Sequence, residues 1–133
     1  MSSARPNRTE LLEALQEHLE RELSPRLSGG DAYQVRIAIN LLSILQRELQ
    51  YGPRFELREQ QRLVSLLHHE GALEPLNVEL SDRIRSRRMN WADAALRAHL
   101  RQTVLERLRI DNPNYSAYRR AAESPGADTG SLA

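Results

Sequence analysis

Apolar residues recur along this chain at the three- and four-residue spacing of a helical face, and this periodicity predicts five helices. Asn7 and Glu10 have the spacing of a capping box before the first helix. Pro75 favours the first turn of the fourth helix, while Asn90 and Asp93 bracket the start of the fifth. The first helix is predicted to follow Asn7 and to end at Ser24-Pro25. The other four are predicted to run approximately from Ala32 to Gln50, Phe55 to His69, Glu74 to Arg88, and Asn90 to Arg109.

The second helix carries two apolar stripes, one that includes Val35 and Leu42 and another that includes Ile37 and Leu41. A helix that is apolar over so much of its circumference is usually packed by neighbours on several sides. We therefore expect this helix to be the central element of the core. Gly52-Pro53 follows it in the order typical of a helix stop.

The fifth helix is expected to direct one set of apolar residues inward: Leu96, Leu100, Val104, Leu105 and Leu108. The segment 110–118 is turn-like, because Asp-Asn-Pro-Asn favours turns, and its two tyrosines are expected to pack back on the domain. The predicted fold is therefore an all-α, single-domain bundle of about five helices with a packed C-terminal tail. The boundaries are a flexible N-terminus at 1–8, a helical domain at 9–118 and a disordered tail at 119–133.

Composition narrows the class of protein. The chain has 133 residues with 22 leucines and no cysteine, which excludes disulfides and thiolate chemistry. No apolar run approaches the roughly 20 residues needed to span a bilayer, and the first residues lack a secretory signal, so we expect a soluble, cytoplasmic protein without membrane contact. All 19 basic residues are arginine and they face 18 acids, a net charge of +1 that argues against nucleic acid as the partner.

One side of the second helix carries a line of polar residues, here called the polar seam. Its members step by four, three, four and three residues: Arg36, Asn40, Ser43, Arg47 and Gln50. Burying such groups without partners costs several kcal/mol, so the seam must face water, internal partners or another molecule. Two interpretations remain open. In the first, the seam is a solvent stripe, or Arg36 is held by an acid such as a glutamate of the first helix. In the second, the seam is a contact line for a ligand or partner subunit.

Two further sets of residues are candidates for binding. Arg83 and Arg87 belong to a cluster of arginines near the end of the fourth helix, where they either complement the helix dipole or meet phosphates or an acidic partner. Asn112 and Tyr115 lie in the C-terminal segment, with a composition typical of interfaces. The alternative for the tyrosines is that they close the helical core.

No catalytic constellation is present in the sequence. The four histidines lack the spacing of metal ligands and are expected at the solvent surface, and there is no glycine-rich phosphate loop or nucleophile elbow. We therefore predict no catalytic residues, no metal site and no cofactor.

Three segments resemble a bacterial domain of unknown function: 35–49, 76–86 and 99–118. Members of that family carry a helix of the type Arg-x-x-x-Asn-x-x-x-Ile-x-x-Arg-Glu-Leu and end in a segment like Ile-Asp-Asn-Pro-x-Tyr. The first pattern falls on Arg36, Asn40, Arg47 and Glu48, and the second on 110–115. The resemblance extends from about residue 5 to 118.

The resemblance implies a partner. Members of the family typically accompany a phosphotransferase of the aminoglycoside/choline-kinase type and an acyl-CoA dehydrogenase, a grouping similar to pathways that degrade hydroxy acids as coenzyme A thioesters. It therefore implies a non-catalytic accessory subunit of the kinase, with the dehydrogenase as a second candidate partner.

Two other hypotheses stay open. The chain could be a stand-alone binding module for a phosphorylated or acyl-CoA ligand, held by the arginines of the fourth and fifth helices. It could also be an independent enzyme, which would require an enclosed pocket with perturbed acids. An isolated chain with an apolar patch is expected to form a homo-oligomer in some conditions.

Overall fold

The computed structural model describes residues 4–123 and confirms the all-α prediction. Within these residues the structure contains five α-helices and no strand. The helices are α1 (Arg8–His18), α2 (Gly29–Leu67), α3 (Leu73–Arg85), α4 (Ala94–Asp111) and α5 (Ser116–Glu123). A π-helical segment (Leu19–Leu23) and a 3-10 turn (Ser24–Arg26) follow α1.

Local capping chemistry sets two of the helix starts. The side chain of Asn7 accepts a hydrogen bond from the backbone N–H of Glu10, and the Glu10 carboxylate accepts one from the N–H of Asn7. Asp93 accepts hydrogen bonds from the N–H groups of Ala95 and Leu96 at the start of α4. Each cap satisfies amides that have no partner within their helix. The first cap confirms the prediction, whereas α4 is capped by Asp93 and begins at Ala94 instead of near Asn90.

The predicted second and third helices form one continuous helix, so the expected stop at Gly52-Pro53 is wrong. Proline removes one backbone hydrogen bond and normally breaks or kinks a helix. Here Tyr51 stacks on Phe55 with ring centroids 5.6 Å apart, and both rings are buried. Arg109 of α4 donates a 2.7 Å hydrogen bond to the Tyr51 hydroxyl. These contacts stabilise the turn that contains Pro53.

α2 instead ends at Leu67, because His68 adopts a left-handed backbone conformation with φ of 64°. A single residue in this conformation is the common way to terminate a helix. The backbone N–H of His68 still donates to the carbonyl of Val64 at 2.9 Å. The helix therefore ends two residues before the predicted end at His69.

The chain divides into two compact units, Met1–Gln50 and Tyr51–Ala133. The first unit contains α1 and the beginning of α2, and none of its described residues is fully buried. The second unit contains the end of α2 and α3 to α5. Its core includes a cluster of six leucines: Leu63, Leu66, Leu67, Leu76, Leu80 and Leu96.

The location of this core corrects two predictions. The segment 32–50 is not the central element, since its described side chains are all exposed or half-buried. On α4, Val104 is exposed instead of inward. The buried line on that helix carries polar residues between two apolar ones: Leu96, His99, Glu106 and Ile110 are all buried.

The C-terminal segment is more helical than predicted. α4 continues to Asp111 and α5 begins at Ser116, so residues 119–123 are helical instead of disordered. Tyr118 is buried and confirms that the segment packs back on the domain, whereas Tyr115 is exposed. At the other end α1 begins at Arg8, one residue before the predicted boundary. The predictions for residues 1–3 and 124–133 lie outside the described residues.

Tyr51→Phe tests the contact between α2 and α4. The substitution keeps the ring that stacks on Phe55 but removes the hydroxyl that accepts from Arg109, so we expect unfolding free energy to fall by about 1–2 kcal/mol. The measurement is chemical denaturation by urea. Tyr33→Phe is the control, because Tyr33 is exposed; it should change stability by less than about 0.5 kcal/mol. Equal losses of unfolding free energy in both variants would contradict a stabilising role for the hydrogen bond between Tyr51 and Arg109.

Candidate functional site

The first unit places the polar seam along α2 and satisfies part of it internally. Gln16 of α1 donates a 2.7 Å hydrogen bond to the Ser43 hydroxyl, which in turn donates to the carbonyl of Ile39. Gln46 donates to the side-chain oxygen of Gln16 at 2.7 Å. Ser43 therefore belongs to the contact between α1 and α2, and Arg47 beside it is half-buried.

The other end of the seam is open to solvent. Asn40 is exposed, and the guanidinium of Arg36 lies over the ring of Tyr33, 6.0 Å from its centroid. Stacking on an aromatic face is a favourable arrangement for arginine that leaves its N–H groups available. Within residues 4–123, no acidic side chain is found paired with Arg36, so the predicted ion pair with the first helix is absent there.

Beside the open end of the seam lies a line of exposed apolar residues, here called the apolar face. Its members follow one another at intervals of four along α2: Tyr33 (56% exposed), Ile37 (38%), Leu41 (59%) and Leu45 (45%). Residues four apart lie on the same side of a helix. Ile37 and Leu41 of the second predicted stripe thus face solvent, together with Tyr33 and Leu45.

The remaining candidate binding residues predicted from the sequence lie in the second unit, near the ends of α3 and α4. Arg83 forms an ion pair with Glu79 one turn earlier on α3, at 2.9 Å. Arg87 is exposed in a left-handed turn just after α3, with φ of 63°. Asn112 caps the end of α4 by donating its N–H to the carbonyl of Leu108. Arg83 and Asn112 therefore have partners in their own helices, whereas Arg87 is exposed.

A network that the sequence patterns did not predict lies between α2 and α4. The guanidinium of Arg62 bonds three side chains of α4: its Nε donates to Nδ1 of His99 at 3.1 Å, and its Nη2 donates to Thr103 at 3.1 Å and to Glu106 at 2.8 Å. His99 and Glu106 are each only 4% exposed. The second carboxylate oxygen of Glu106 is buried without a hydrogen-bond partner.

His99 is neutral in this network. Burial, reinforced by the positive charge of Arg62, lowers the pKa of His99 from 6.5 to about 4. Because Nδ1 accepts a hydrogen bond from Arg62, the proton of the neutral ring resides on Nε2. The prediction of a solvent-exposed histidine is thus wrong for this residue. Its position was readable from the sequence, since His99, Thr103 and Glu106 continue the helical stripe that joins Leu96 to Ile110.

The network borders an open groove of about 670 Å³ between the same two helices. α2 contributes Arg58, Arg62 and Ser65 to its lining, and α4 contributes Ala98 and His99. The groove combines a basic, hydrogen-bonding side with an apolar wall. Among residues 4–123 no group of three or more acidic or histidine side chains is arranged to hold a metal ion. In the same range, no helix is both long and apolar enough to cross a bilayer.

Comparison with known proteins identifies the family. The chain is an all-α helical domain, and it belongs to the family described as Domain of unknown function (DUF6285), whose model matches residues 25–115. The match includes the polar seam, the apolar face and the groove, and it begins after α1. No curated protein and no solved structure matches the chain. The match is shorter at its N-terminal end than the resemblance seen in the sequence.

The depressed pKa of His99 predicts how stability depends on pH. The unfolded chain binds a proton at His99 near pH 6.5 and the folded chain only near pH 4, so stability falls as pH decreases through this window. The loss amounts to at most about 3 kcal/mol. In His99→Asn, which keeps an acceptor for Arg62, this acid-dependent loss should disappear. The measurement is urea denaturation at a series of pH values.

His69 provides the control for this experiment. A hydrogen bond with the Glu70 backbone, and then one with Glu79, raises its pKa, so its contribution is present below pH 6.5 and is lost as pH rises through the raised pKa. His69→Asn should therefore leave the acid-dependent loss intact. If His69→Asn removes it and His99→Asn does not, the assignment to the buried network is wrong.

Proposed function

We propose that this protein is a cytoplasmic, non-catalytic interaction subunit that binds a phosphotransferase of the aminoglycoside/choline-kinase type in acyl-CoA, hydroxy acid catabolism. An acyl-CoA dehydrogenase is the second candidate partner. The identity of the partner comes from the family resemblance of the pattern in α2 that begins at Arg36 and of the segment that ends at Tyr115. The observation that carries the proposal is the apolar face of α2.

The apolar face has the properties of a helix that docks into a partner. Its four side chains form one continuous line, and burying a large apolar side chain contributes roughly 1.5–3 kcal/mol. Amphipathic helices bind grooves in partner proteins through anchors with this spacing. These exposed side chains contribute favourable binding free energy only when another surface covers them.

Arg36 and Asn40 form a polar rim along one edge of the apolar face. Interfaces commonly place apolar anchors at the centre and polar groups at the rim. The stacking of Arg36 on Tyr33 holds the guanidinium close to the apolar anchors before a partner arrives. The matching surface of the kinase would offer an apolar groove with an acceptor, such as a carboxylate, opposite Arg36.

Leu41→Glu tests the apolar face. The native protein, purified gently from its own cells, should elute with a stoichiometric phosphotransferase of the stated type. The substitution introduces a charge at the most exposed apolar anchor, so we expect the kinase to be lost from the peak and its affinity to fall at least about tenfold. Circular dichroism should show unchanged helix content, because Leu41 is exposed.

Leu57→Glu is the matched control, since Leu57 lies on the same helix in the second unit and is 55% exposed. It should keep the kinase bound. Asn40→Leu tests the rim: it should leave the fold intact and weaken activation of the kinase. Elution of the native protein as a lone monomer or homodimer would overturn the proposal, as would equal effects of Leu41→Glu and Leu57→Glu.

The second candidate function is a stand-alone binding module for a phosphorylated or acyl-CoA ligand. In its favour, Arg85, Arg87 and Arg88 are exposed at and just after the end of α3, although Arg83 is paired with Glu79 and Arg85 with Asp82. Clustered guanidinium groups are well suited to phosphate oxygens. Calorimetric titration of the protein alone with acetyl-CoA decides: a saturable signal that Arg87→Gln weakens supports the module, and no signal at millimolar concentration removes it.

A further inference from the structure

We infer that the exposed Trp91 and the arginines just before it form a binding site for a nucleoside phosphate, with the base on the indole ring and the phosphate on Arg87 and Arg88. The site lies in the second unit, in the segment that joins α3 to α4. The inference rests on the second candidate function, because it names a ligand class for the same arginines. It uses neither the apolar face nor the polar seam, so it is independent of the kinase.

Trp91 presents one open aromatic face. Its side chain is 70% exposed, more than any other exposed large hydrophobic side chain of residues 4–123. The guanidinium of Arg97 lies over the ring, 6.0 Å from its centroid, and also donates a hydrogen bond to the Trp91 carbonyl. No other ring or guanidinium within residues 4–123 contacts the indole. Arg97 therefore orients one face of the ring, and the other face is open to a stacking partner.

The backbone around Trp91 is ordered by its own hydrogen bonds. The N–H groups of Arg88 and Met89 both donate to the carbonyl of Arg83, at 2.9 and 3.1 Å. The side chain of Asn90 accepts a 2.8 Å hydrogen bond from the N–H of Ala92. Groups that are ordered before binding lose less conformational entropy when a ligand arrives. The segment thus holds the indole and the arginines near their binding positions without a ligand.

The charge around Trp91 is strongly positive. Residues 83–101 contain six arginines and a single acid, Asp93, whose carboxylate accepts hydrogen bonds at the start of α4. Acids of α3 pair with the first two arginines. Arg87 and Arg88 are exposed, and within residues 4–123 neither forms an ion pair with an acid. Such guanidinium groups are well suited to phosphate oxygens, which they can bind with two parallel hydrogen bonds.

A nucleoside phosphate matches both parts of this surface. Bases stack on exposed aromatic side chains, while phosphates pair with arginine. Three peptide units separate Arg88 from Trp91, so their Cα atoms lie at most about 11 Å apart. The sugar of a nucleotide separates its base from its phosphate, so each can contact its own residue. The ligand class therefore follows from the open ring and the unpaired cations together.

Two other anionic partners match only one part of the surface. An acidic protein segment would pair with Arg87 and Arg88, but its carboxylates would leave the open face of the indole uncovered. An anionic lipid surface accepts tryptophan at the level of the headgroups. There the guanidinium of Arg97, which lies against the ring, would lose part of its hydration. Both partners are included below as alternatives to the nucleotide.

The experiment is a titration of the full-length protein with AMP near neutral pH and at constant ionic strength, followed by the NMR signal of the indole N–H. The chain contains one tryptophan, so this signal reports on Trp91 alone. Adenosine is the probe that lacks the phosphate, and ribose 5-phosphate is the probe that lacks the base. We expect AMP to shift the indole signal in a saturable way, and we expect the other two to bind at least about tenfold more weakly.

Two variants locate the site. Trp91→Leu removes the stacking surface and Arg88→Gln removes a positive charge, so each should weaken AMP binding at least about fivefold in calorimetry. Arg119→Gln is the matched control, because it removes the same charge from an exposed position on α5. It should bind AMP as the native protein does. All three positions are exposed, and thermal melting confirms that the variants fold.

Several results would overturn the inference. The first is the absence of a saturable shift of the Trp91 signal up to about 20 mM AMP, a concentration at which even a very weak site would fill. The second is equal binding of AMP and ribose 5-phosphate, which would show charge pairing without stacking. The third is a shift caused by polyglutamate or by phosphatidylserine vesicles when AMP causes none.

Two further ligands separate the inference from its neighbours. An adenine octanucleotide that binds more than about tenfold tighter than AMP would overturn it in favour of single-stranded nucleic acid. Acetyl-CoA distinguishes it from the second candidate function. If acetyl-CoA binds in calorimetry but AMP leaves the Trp91 signal unchanged, the binding module stands and the nucleoside phosphate site is wrong.

Discussion

The contact between Arg62 and Glu106 is the constraint on which the second unit depends. Glu106 is buried on α4 and its charge is compensated by a guanidinium from α2. Removing one member of a buried ion pair typically costs about 3–5 kcal/mol, because the other charge remains buried without a partner. The pair therefore permits only those packings of α2 against α4 that keep the two side chains within reach. Leucines could tolerate other arrangements, but this ion pair cannot.

The contact at Tyr51 has a similar effect at another position of the same two helices. The hydrogen bond from Arg109 and the stacking on Phe55 hold the turn around Pro53, where a helix would otherwise be weakest. Two arginine contacts, at Tyr51 and at Glu106, thus fix the position of α4 along α2. The leucine cluster then supplies most of the apolar burial.

Local chemistry explains which parts of the fold could be predicted from the sequence. The helix start after Asn7 was predictable, because a capping box depends on residues three apart. The start of α4 was predicted near Asn90, three residues before Asp93, which caps the helix. The continuity of α2 was not, because it depends on a contact between residues 51 and 109 that no local pattern encodes. The end of α2 at His68 was not predictable either, because the surrounding fold determines whether a histidine adopts a left-handed conformation.

The candidate sites were likewise predictable only where they depend on local sequence patterns. Periodicity placed the polar seam and both apolar stripes correctly on one helix, but it could not determine which stripe would be covered. The network of Arg62 was partly readable, since His99 and Glu106 occupy positions on the buried line of α4. Counting apolar residues alone selected Val104 for the interior instead. Polar residues on an otherwise apolar stripe are therefore as informative as the leucines around them.

The two units have different sources of stability, and this difference bears on the proposed partner. The second unit has a buried core, whereas none of the described residues of the first is fully buried. A helix pair with so little burial gains less free energy from its own packing. A partner that covers the apolar face adds binding free energy only to the folded state, which stabilises that state in proportion to the logarithm of partner concentration over Kd. Binding at Leu41 and folding of the first unit are therefore thermodynamically linked, so the partner would increase the stability of the surface that recognises it.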